Sequence, residues 1–355
     1  MTFSLNIHSL VTVQLCELNS HITERLKDYF SLFAADPAEI SGNYDITVMP
    51  FKTDKKSLEL FSRDILPFWI KELSDDSYVV VGHRGKPDMA FNVSGPITIE
   101  YCEETQEFGR LLFNLTYCIQ FSLIRKGGLL FHGAVLSRDN NCVIIVGPSG
   151  IGKTALTLTM LNDGWDYVGD DKFILYKGKA HIFRPYIPME RFHFEFLTRN
   201  NRMVTGHKRF KYPVVISKLA KVFVEKYSPD FIIPMFSRLR SPVVFVNVKD
   251  MFPQCREHTT AIPSKCVVIT HGSSFRAKEC SHDKIIRDII NLQWLHFPDF
   301  EKMTRILSLS DYSYYRDFEA VIAENLSNMQ FLKLNFPYEW NQQKRYESLL
   351  SGINS

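Results

Sequence analysis

The chain has 355 residues, 45% of them apolar, which is enough for two domains and a sizeable core. Its net charge is +3 with acids and bases interspersed, a balance that sets aside a nucleic-acid partner or a membrane surface. The seven cysteines are scattered, with no CxxC or Cys/His ligand spacing, which argues against a disulfide framework or a zinc site. MTFSLNIHSLV has neither a basic start nor a long apolar run, and no apolar stretch approaches the length of a membrane span. A cytoplasmic location with reduced thiols is the expectation, and the sequons at Asn92 and Asn114 then count as coincidental.

Residues 1–104 read as a small α/β module. LVTVQLCEL is a strand, and ITERLKDYFSLF places Ile22, Leu26, Phe30 and Phe33 on one helical face. YDITVMPF, SYVVVG, MAFNV and ITIEYC alternate or run apolar like strands, separated by Gly, Pro and Asp turns. His83, Arg84 and Lys86, in GHRGKPD, read as a solvated hairpin tip. Residues 105–128 predict a connecting helix. Phe108, Leu111, Leu112, Leu115, Cys118, Ile119 and Ser122 keep helical spacing, and Lys126-Gly127-Gly128 supplies a cation and a glycine stop.

The chemistry concentrates in residues 129–290. LLFHGAVL and CVIIVG are strands joined by a polar turn, Ser137 to Asn141. The second strand runs into GPSGIGKT, Gly147 to Thr154, and a helix-forming ALTLTML follows. This matches G-x-x-x-x-G-K-[ST] in the strand–loop–helix context the motif needs. The expected ligands of the loop are Gly147, Pro148, Ser149, Gly150, Ile151, Gly152, Lys153 and Thr154. Successive backbone N–H groups at a helix N-terminus cradle phosphate oxygens, and glycines let the backbone come close. Lys153 would reach the outer phosphates, and the Thr154 hydroxyl would hold a magnesium ion. Asp163-Gly164 stops the helix. WDYVG then ends at Asp170 and Asp171, and KFILYK, a Lys177-Gly178-Lys179 turn and AHIFR make a hairpin at once. A doubly wound nucleoside triphosphatase would continue instead with helical crossovers. The expected fold is therefore α/β, with a mixed, partly antiparallel sheet carrying the P-loop beside a smaller N-terminal α/β module.

The order FHG, turn, GPSGIGKT, helix and G-x-x-x-x-GDD resembles the C-terminal catalytic domain of the HPr kinase/phosphorylase family, whose fold is related to phosphoenolpyruvate carboxykinase. The similarity is clear from Leu129 to Leu175 and extends faintly to Asp288 through KCVVITHG and SHDKIIRDII. The resemblance implies roles for His132, Asp170 and Asp171 in phosphoryl transfer, with ATP and Mg2+ as cofactors. It also implies that the N-terminal module serves recognition or assembly. No EIRGLGI-like segment and no VRPGRN-like loop occurs, so the chain resembles a divergent member with an acceptor other than HPr and no phosphorolysis.

Past Arg184 the chain is basic and aromatic as far as Lys211, including Arg199, Arg202, His207, Lys208 and Arg209. That stretch reads as an acceptor-selecting lid or as a solvated loop. Glu190 and Glu195 are candidates for a further acid near the metal, and Arg238 and Arg240 for a transition-state charge or a plain surface position. SPVVFVNV and KCVVITHG predict late strands of the same sheet. Residues 291–355 read as a helical tail whose aromatics (Trp294, Phe297, Phe300, Tyr312, Tyr314, Tyr315 and Phe318) serve core packing or a homo-oligomer contact.

Together these residues predict an ATP-dependent kinase that transfers a γ-phosphoryl group to a hydroxyl on a protein, peptide or small molecule. Lys153 and the loop hold the phosphates, Asp170 is the base, and Thr154 with Asp171 binds magnesium, with the two aspartates open to exchange of roles. His132 steers the γ-phosphate or the base. A nucleotide-driven ATPase or switch, with water as acceptor, and an inactive nucleotide-binding scaffold are the competing classes.

Overall fold

The computed structural model describes residues 2–40, 42–51, 69–73, 78–83, 86–92, 95–102, 108–139, 141–189, 193, 244–296, 314–337, 339–340 and 342–354. Glu190, Glu195, Arg199, Arg202, Lys208, Arg209, Arg238 and Arg240 lie outside the described residues, and so do Arg84, Phe297, Phe300 and Tyr312. Both halves are α/β, built on mixed sheets. The chain divides into two units, and neither is continuous in sequence.

The first unit comprises Met1–Phe131, Ile174–Arg184 and Ser281–Met329. Its large sheet contains β1 (Phe3–Ile7), β2 (Val11–Leu15), β3 (Ala34–Ala35), β4 (Ile46–Pro50), β5 (Trp69–Leu73), β6 (Tyr78–His83), β7 (Lys86–Asn92) and β8 (Ile97–Tyr101). The spatial order is β3-β1-β2-β4-β8-β7-β6-β5. β2, β4 and β8 run parallel, and the flanking pairs are antiparallel. Strict alternation in VTVQL buries Val11, Val13 and Leu15. β1 was not anticipated, although FSLNI carries the same period. α1 (Ser20–Tyr29) begins at Asn19, whose side chain accepts from the His21 N–H at 2.9 Å. It buries Ile22 and Leu26.

α2 (Phe108–Arg125) forms where the helical spacing predicts it and lies within the first unit, with Leu111, Leu115, Cys118 and Ile119 fully buried. It packs on β9 (Gly128–Phe131), where the Leu130 N–H donates to Gln120 Oε1 at 2.5 Å. β9 lies beside β13 (Phe173–Tyr176), which in turn lies beside β14 (Lys179–Ile182), so the hairpin foreseen after the helix that follows GPSGIGKT is present. Asn325 fastens this corner, accepting from the Gly178 N–H at 3.1 Å and donating to the Gly127 carbonyl at 3.0 Å.

The second unit comprises His132–Phe173, Pro185–Cys280 and Gln330–Ser355. Its six-stranded sheet uses β10 (Ala134–Arg138), β11 (Asn141–Val146), β12 (Asp166–Asp170), β18 (Lys265–Gly272), β19 (Arg276–Glu279) and β20 (Gln330–Pro337). The order is β12-β10-β11-β18-β20-β19. β10 is antiparallel to both neighbours, while β11, β18 and β20 are parallel, so the sheet is mixed and partly antiparallel as expected. Near-continuous burial of NCVIIV and KCVVI matches strands covered on both faces. β17 (Thr260–Ala261) is a short piece of the same unit.

Two expectations change here. SPVVFVNV does not join the main sheet: β16 (Val244–Asn247) pairs antiparallel with β15 (Tyr186–Met189) as a separate ribbon. A four-residue apolar strand satisfies its ladder with any free edge, and its sequence does not say which. The tail is not all helix, because β20 lies within the main sheet between β18 and β19. Residues 174–184 and 281–329 cluster with the N-terminal strands. Phe318 is fully buried, as a core-packing aromatic should be. All seven cysteines are free thiols, and burial pushes Cys142 up to about 12. No described helix is long and apolar enough to cross a membrane.

Candidate functional site

The site is assembled at one end of the six-stranded sheet, where β11 stops at Val146 and the chain turns through Gly147–Gly152 into α3 (Lys153–Asn162). Gly147 and Gly152 show why the turn is rich in glycine. A Cβ on Gly147 would fall 2.6 Å from the Ile269 carbonyl oxygen, so only a bare backbone lies this close to β18. Gly152 caps the helix at φ 99, in the left-handed region. Pro148, Ser149 and Gly150 form the exposed rim of the turn, whereas Ile151 is buried and Gly152 half-buried.

α3 is enclosed nearly all round: Ala155, Leu156, Leu158, Met160 and Leu161 are all buried. Lys153 is buried too, and its ammonium donates to the carbonyls of Gly147 at 2.7 Å and Pro148 at 3.1 Å. Burial pushes the lysine below its ordinary pKa, while the charges of Asp170 and Asp171 pull it back up. The side chain spans the loop it is meant to serve.

The two adjacent aspartates separate sharply. Asp170 is 1% exposed and accepts from two hydroxyls of α3, Thr154 at 3.1 Å and Thr157 at 3.2 Å. Those threonines are three residues apart, hence on one helical face. The backbone N–H of Asp170 donates to the Tyr167 hydroxyl at 3.0 Å. Asp171 turns the other way at φ 67, a left-handed position that Asp tolerates better than most residues. Its side chain is 26% exposed and meets His132 Nδ1 at 3.5 Å and Lys172 Nζ at 3.1 Å. A bulge directs this arrangement. β12 pairs Gly169 with Val135 but Tyr167 with Leu136, leaving Val168 as an extra residue.

Thr154 therefore stands against Asp170, whereas the sequence reading had joined it to Asp171. Strand alternation alone does not fix which aspartate faces the helix, because the bulge inserts one residue just before the pair. His132 is brought to Asp171, with its side chain 13% exposed. Among the described residues no group of three or more His, Cys, Asp or Glu side chains could hold a metal. The hydroxyl and carboxylate of Thr154 and Asp170 are nonetheless hard oxygen donors of the kind magnesium prefers, and few protein ligands suffice when phosphates and waters complete its shell.

Four participants were missed in the sequence. Thr157 was legible in principle, from the T-x-x-T spacing. Lys172 and Tyr167 flank the aspartates but carried no separate signal. Arg345, on the helix Gln342–Asn354, is buried and donates to the Ile151 carbonyl at 2.9 Å and to that of Pro337 at 3.4 Å. The next residue, Tyr346, hydrogen-bonds Asp163 at the far end of α3. Nothing in the local sequence points from Arg345 to a loop nearly two hundred residues earlier.

No protein-family model and no curated protein matches the chain. Among solved structures, it matches the HPr(Ser) kinase/phosphatase from Coxiella burnetii. The match covers 63% of this chain and 93% of that one, at 10% sequence identity and a TM-score of 0.28. No residue role is transferred from so distant an overlap; the side chains of this chain carry the functional reading.

Proposed function

We propose that the chain is an ATP-dependent kinase that phosphorylates a hydroxyl-bearing acceptor. One observation supports this most directly: the Lys153–Thr154 turn of a glycine-rich loop lies against a buried aspartate, with a second aspartate and a histidine beside it. In this reading Gly147–Thr154 is the phosphate-binding loop, and Lys153 leaves the loop carbonyls for a phosphate oxygen. Thr154 and Asp170 are the magnesium-side pair, and Thr157 holds the second carboxylate oxygen in place. The geometry favours this order of the aspartates over the reverse. Magnesium, when bound with ATP, would supply charge neutralisation on the phosphates.

Asp171 is then the proton acceptor. It is open enough to meet a substrate hydroxyl, and His132 and Lys172 orient its two oxygens. The acceptor oxygen bonds to the γ-phosphorus, the bond from that phosphorus to the β–γ bridging oxygen breaks, ADP departs, and the hydroxyl proton passes to Asp171. Acceptor choice is assigned to the basic, aromatic stretch ending at Lys211, with the N-terminal module, on sequence grounds alone.

Labelled ATP, supplied with and without a cell extract, tests the class. A kinase labels an acceptor. Phosphate release with no labelled acceptor would instead favour the ATPase or switch, and neither outcome with intact binding would favour a scaffold.

A further inference from the structure

The parallel strands of the second unit place three elements at one end of the sheet. β11 ends at the glycine turn, and β18 and β20 run on beside it as far as Gly272 and Pro337. Asp170 lies on the other side of β11, two strands away across β10. A nucleotide with its phosphates in the turn and its metal-binding edge toward Asp170 therefore has its base directed toward the ends of β18 and β20.

An aromatic patch occupies that position. Phe275, just past β18, stacks on Trp340, just past β20, with ring centroids 5.0 Å apart and planes 23° apart. Phe336, at the end of β20, lies nearly parallel to Phe275 at 6.2 Å and an interplanar angle of 13°. Phe336 is buried, and Phe275 is 36% exposed. The Lys344 ammonium sits 4.4 Å from the Trp340 centroid and closes one face of that ring, leaving Phe275 as the open one. A single guanidinium joins the patch to the turn: Arg345 Cζ is 5.8 Å from the Phe336 centroid, and its Nη1 donates to Ile151.

We propose that Phe275, backed by Trp340, is the stacking platform for the purine base of the nucleotide whose phosphates the Gly147–Thr154 loop takes. The inference rests on the phosphate-loop reading and adds the base site to it. Stacking suits a flat, polarisable ring. Phe275 is a binding residue here, with no part in proton or phosphoryl transfer.

Calorimetry on the purified full-length protein, with Mg-ATP and with Mg-tripolyphosphate as separate probes, tests the assignment. Phe275→Ala should weaken Mg-ATP binding by about tenfold to a hundredfold, the usual worth of one stacked base. It should leave tripolyphosphate affinity unchanged, and Phe275→Tyr should retain most of the ATP affinity. Losing the stack on Trp340 should lower the ligand-free melting temperature of the alanine variant, and the comparison of the two probes separates that loss of packing from a lost base contact. Wild-type affinity for ATP in the alanine variant would overturn the platform, and so would an equal loss for both probes. Failure of the wild type to bind either probe would instead overturn the phosphate-loop reading and the platform with it.

Discussion

Asp170 and Asp171 are adjacent and chemically identical, yet their surroundings assign them opposite behaviour, which makes the pair the sharpest place to test the site. Asp170→Asn keeps the shape and removes the charge that faces Thr154 and Thr157. Hydroxyl bonds to a carboxylate are worth about 1.5–3 kcal/mol each, against about 1 kcal/mol for bonds to a neutral amide. Losing that difference at a site 1% exposed is partly offset, because a buried charge no longer has to be desolvated. The folded state should therefore weaken by no more than about 2 kcal/mol. Magnesium-dependent nucleotide affinity should fall further, by about tenfold to a hundredfold, the loss typical even when a carboxylate supports a metal indirectly. Asp171→Asn should do the reverse. Mg-ATP affinity should stay within about twofold, while acceptor labelling slows by about a hundredfold to ten-thousandfold, the range for a lost general base. Calorimetry with Mg-ATP, and with ATP plus chelator, separates the two variants. Should Asp171→Asn abolish the magnesium dependence while Asp170→Asn preserves it, the assignment drawn from the Thr154 contact is inverted and the reasoning fails.

Lys153→Met retains the aliphatic stem and should bind Mg-ATP at least tenfold more weakly in calorimetry; the melting temperature should hold or rise, since a buried ammonium is lost. Unchanged ATP affinity in that variant would remove the loop from the mechanism. Arg345→Met should lower both the melting temperature and tripolyphosphate affinity, because the guanidinium bond to Ile151 is worth about 1.5–3 kcal/mol, whereas Arg345→Lys should recover part of each. If only the melting temperature moves, Arg345 supports the fold and not the loop. His181 lies in the first unit with its ring 5.0 Å from that of His8, and burial followed by the charges of His8 and Lys179 lowers its pKa from 6.5 to about 4. The unfolded chain thus takes up the proton first, so stability is fullest above pH 6.5 and falls as the pH drops toward 4. The effect is at most about 3 kcal/mol, reduced by solvent screening of a half-open ring. Thermal melts between these limits should flatten in His181→Gln, and an unaltered slope there would assign the acid sensitivity to other groups.

The loop was legible because its signal is local: a β-branched strand, three glycines, Lys-Thr and a helix former all lie within about twenty residues. α2 was legible from a helical period long enough to outweigh noise. The direction of the aspartates was not, because it depends on the extra residue at Val168 and on the left-handed φ of Asp171, neither of which a period-2 pattern encodes. β20 could have been found, since QFLKLNFP alternates well enough to bury Phe331, Leu332, Leu334 and Phe336, but it lies inside a tail read as helical throughout. The pairing of β15 with β16 was out of reach, because the partners are nearly sixty residues apart and each is only four residues long.

The register of the sheet explains why so distant a helix bears on the loop. Asp170 pairs with Ala134, Ala134 with Ile145, Ile145 with Val267, and Val267 with Leu332, a single row running across five strands. Paired residues share a face, so Asp170 and Leu332 face the same side of the sheet. α3 covers the Asp170 end of that row through Thr154 and Thr157, and the helix Gln342–Asn354 covers the Leu332 end, where a Cβ on Gly352 would lie 2.6 Å from the leucine. The two helices meet over the middle, with Arg345 at the start of α3 and Tyr346 at its end. α3 is thus clamped at both ends by one turn of a helix that the chain adds last. The backbone of the glycine turn is held from the sheet side by Gly147 against Ile269 and from the helix side by Arg345. Preorganised donors of this kind are what phosphoryl transfer demands of a protein, because positioning and charge neutralisation supply most of the catalysis.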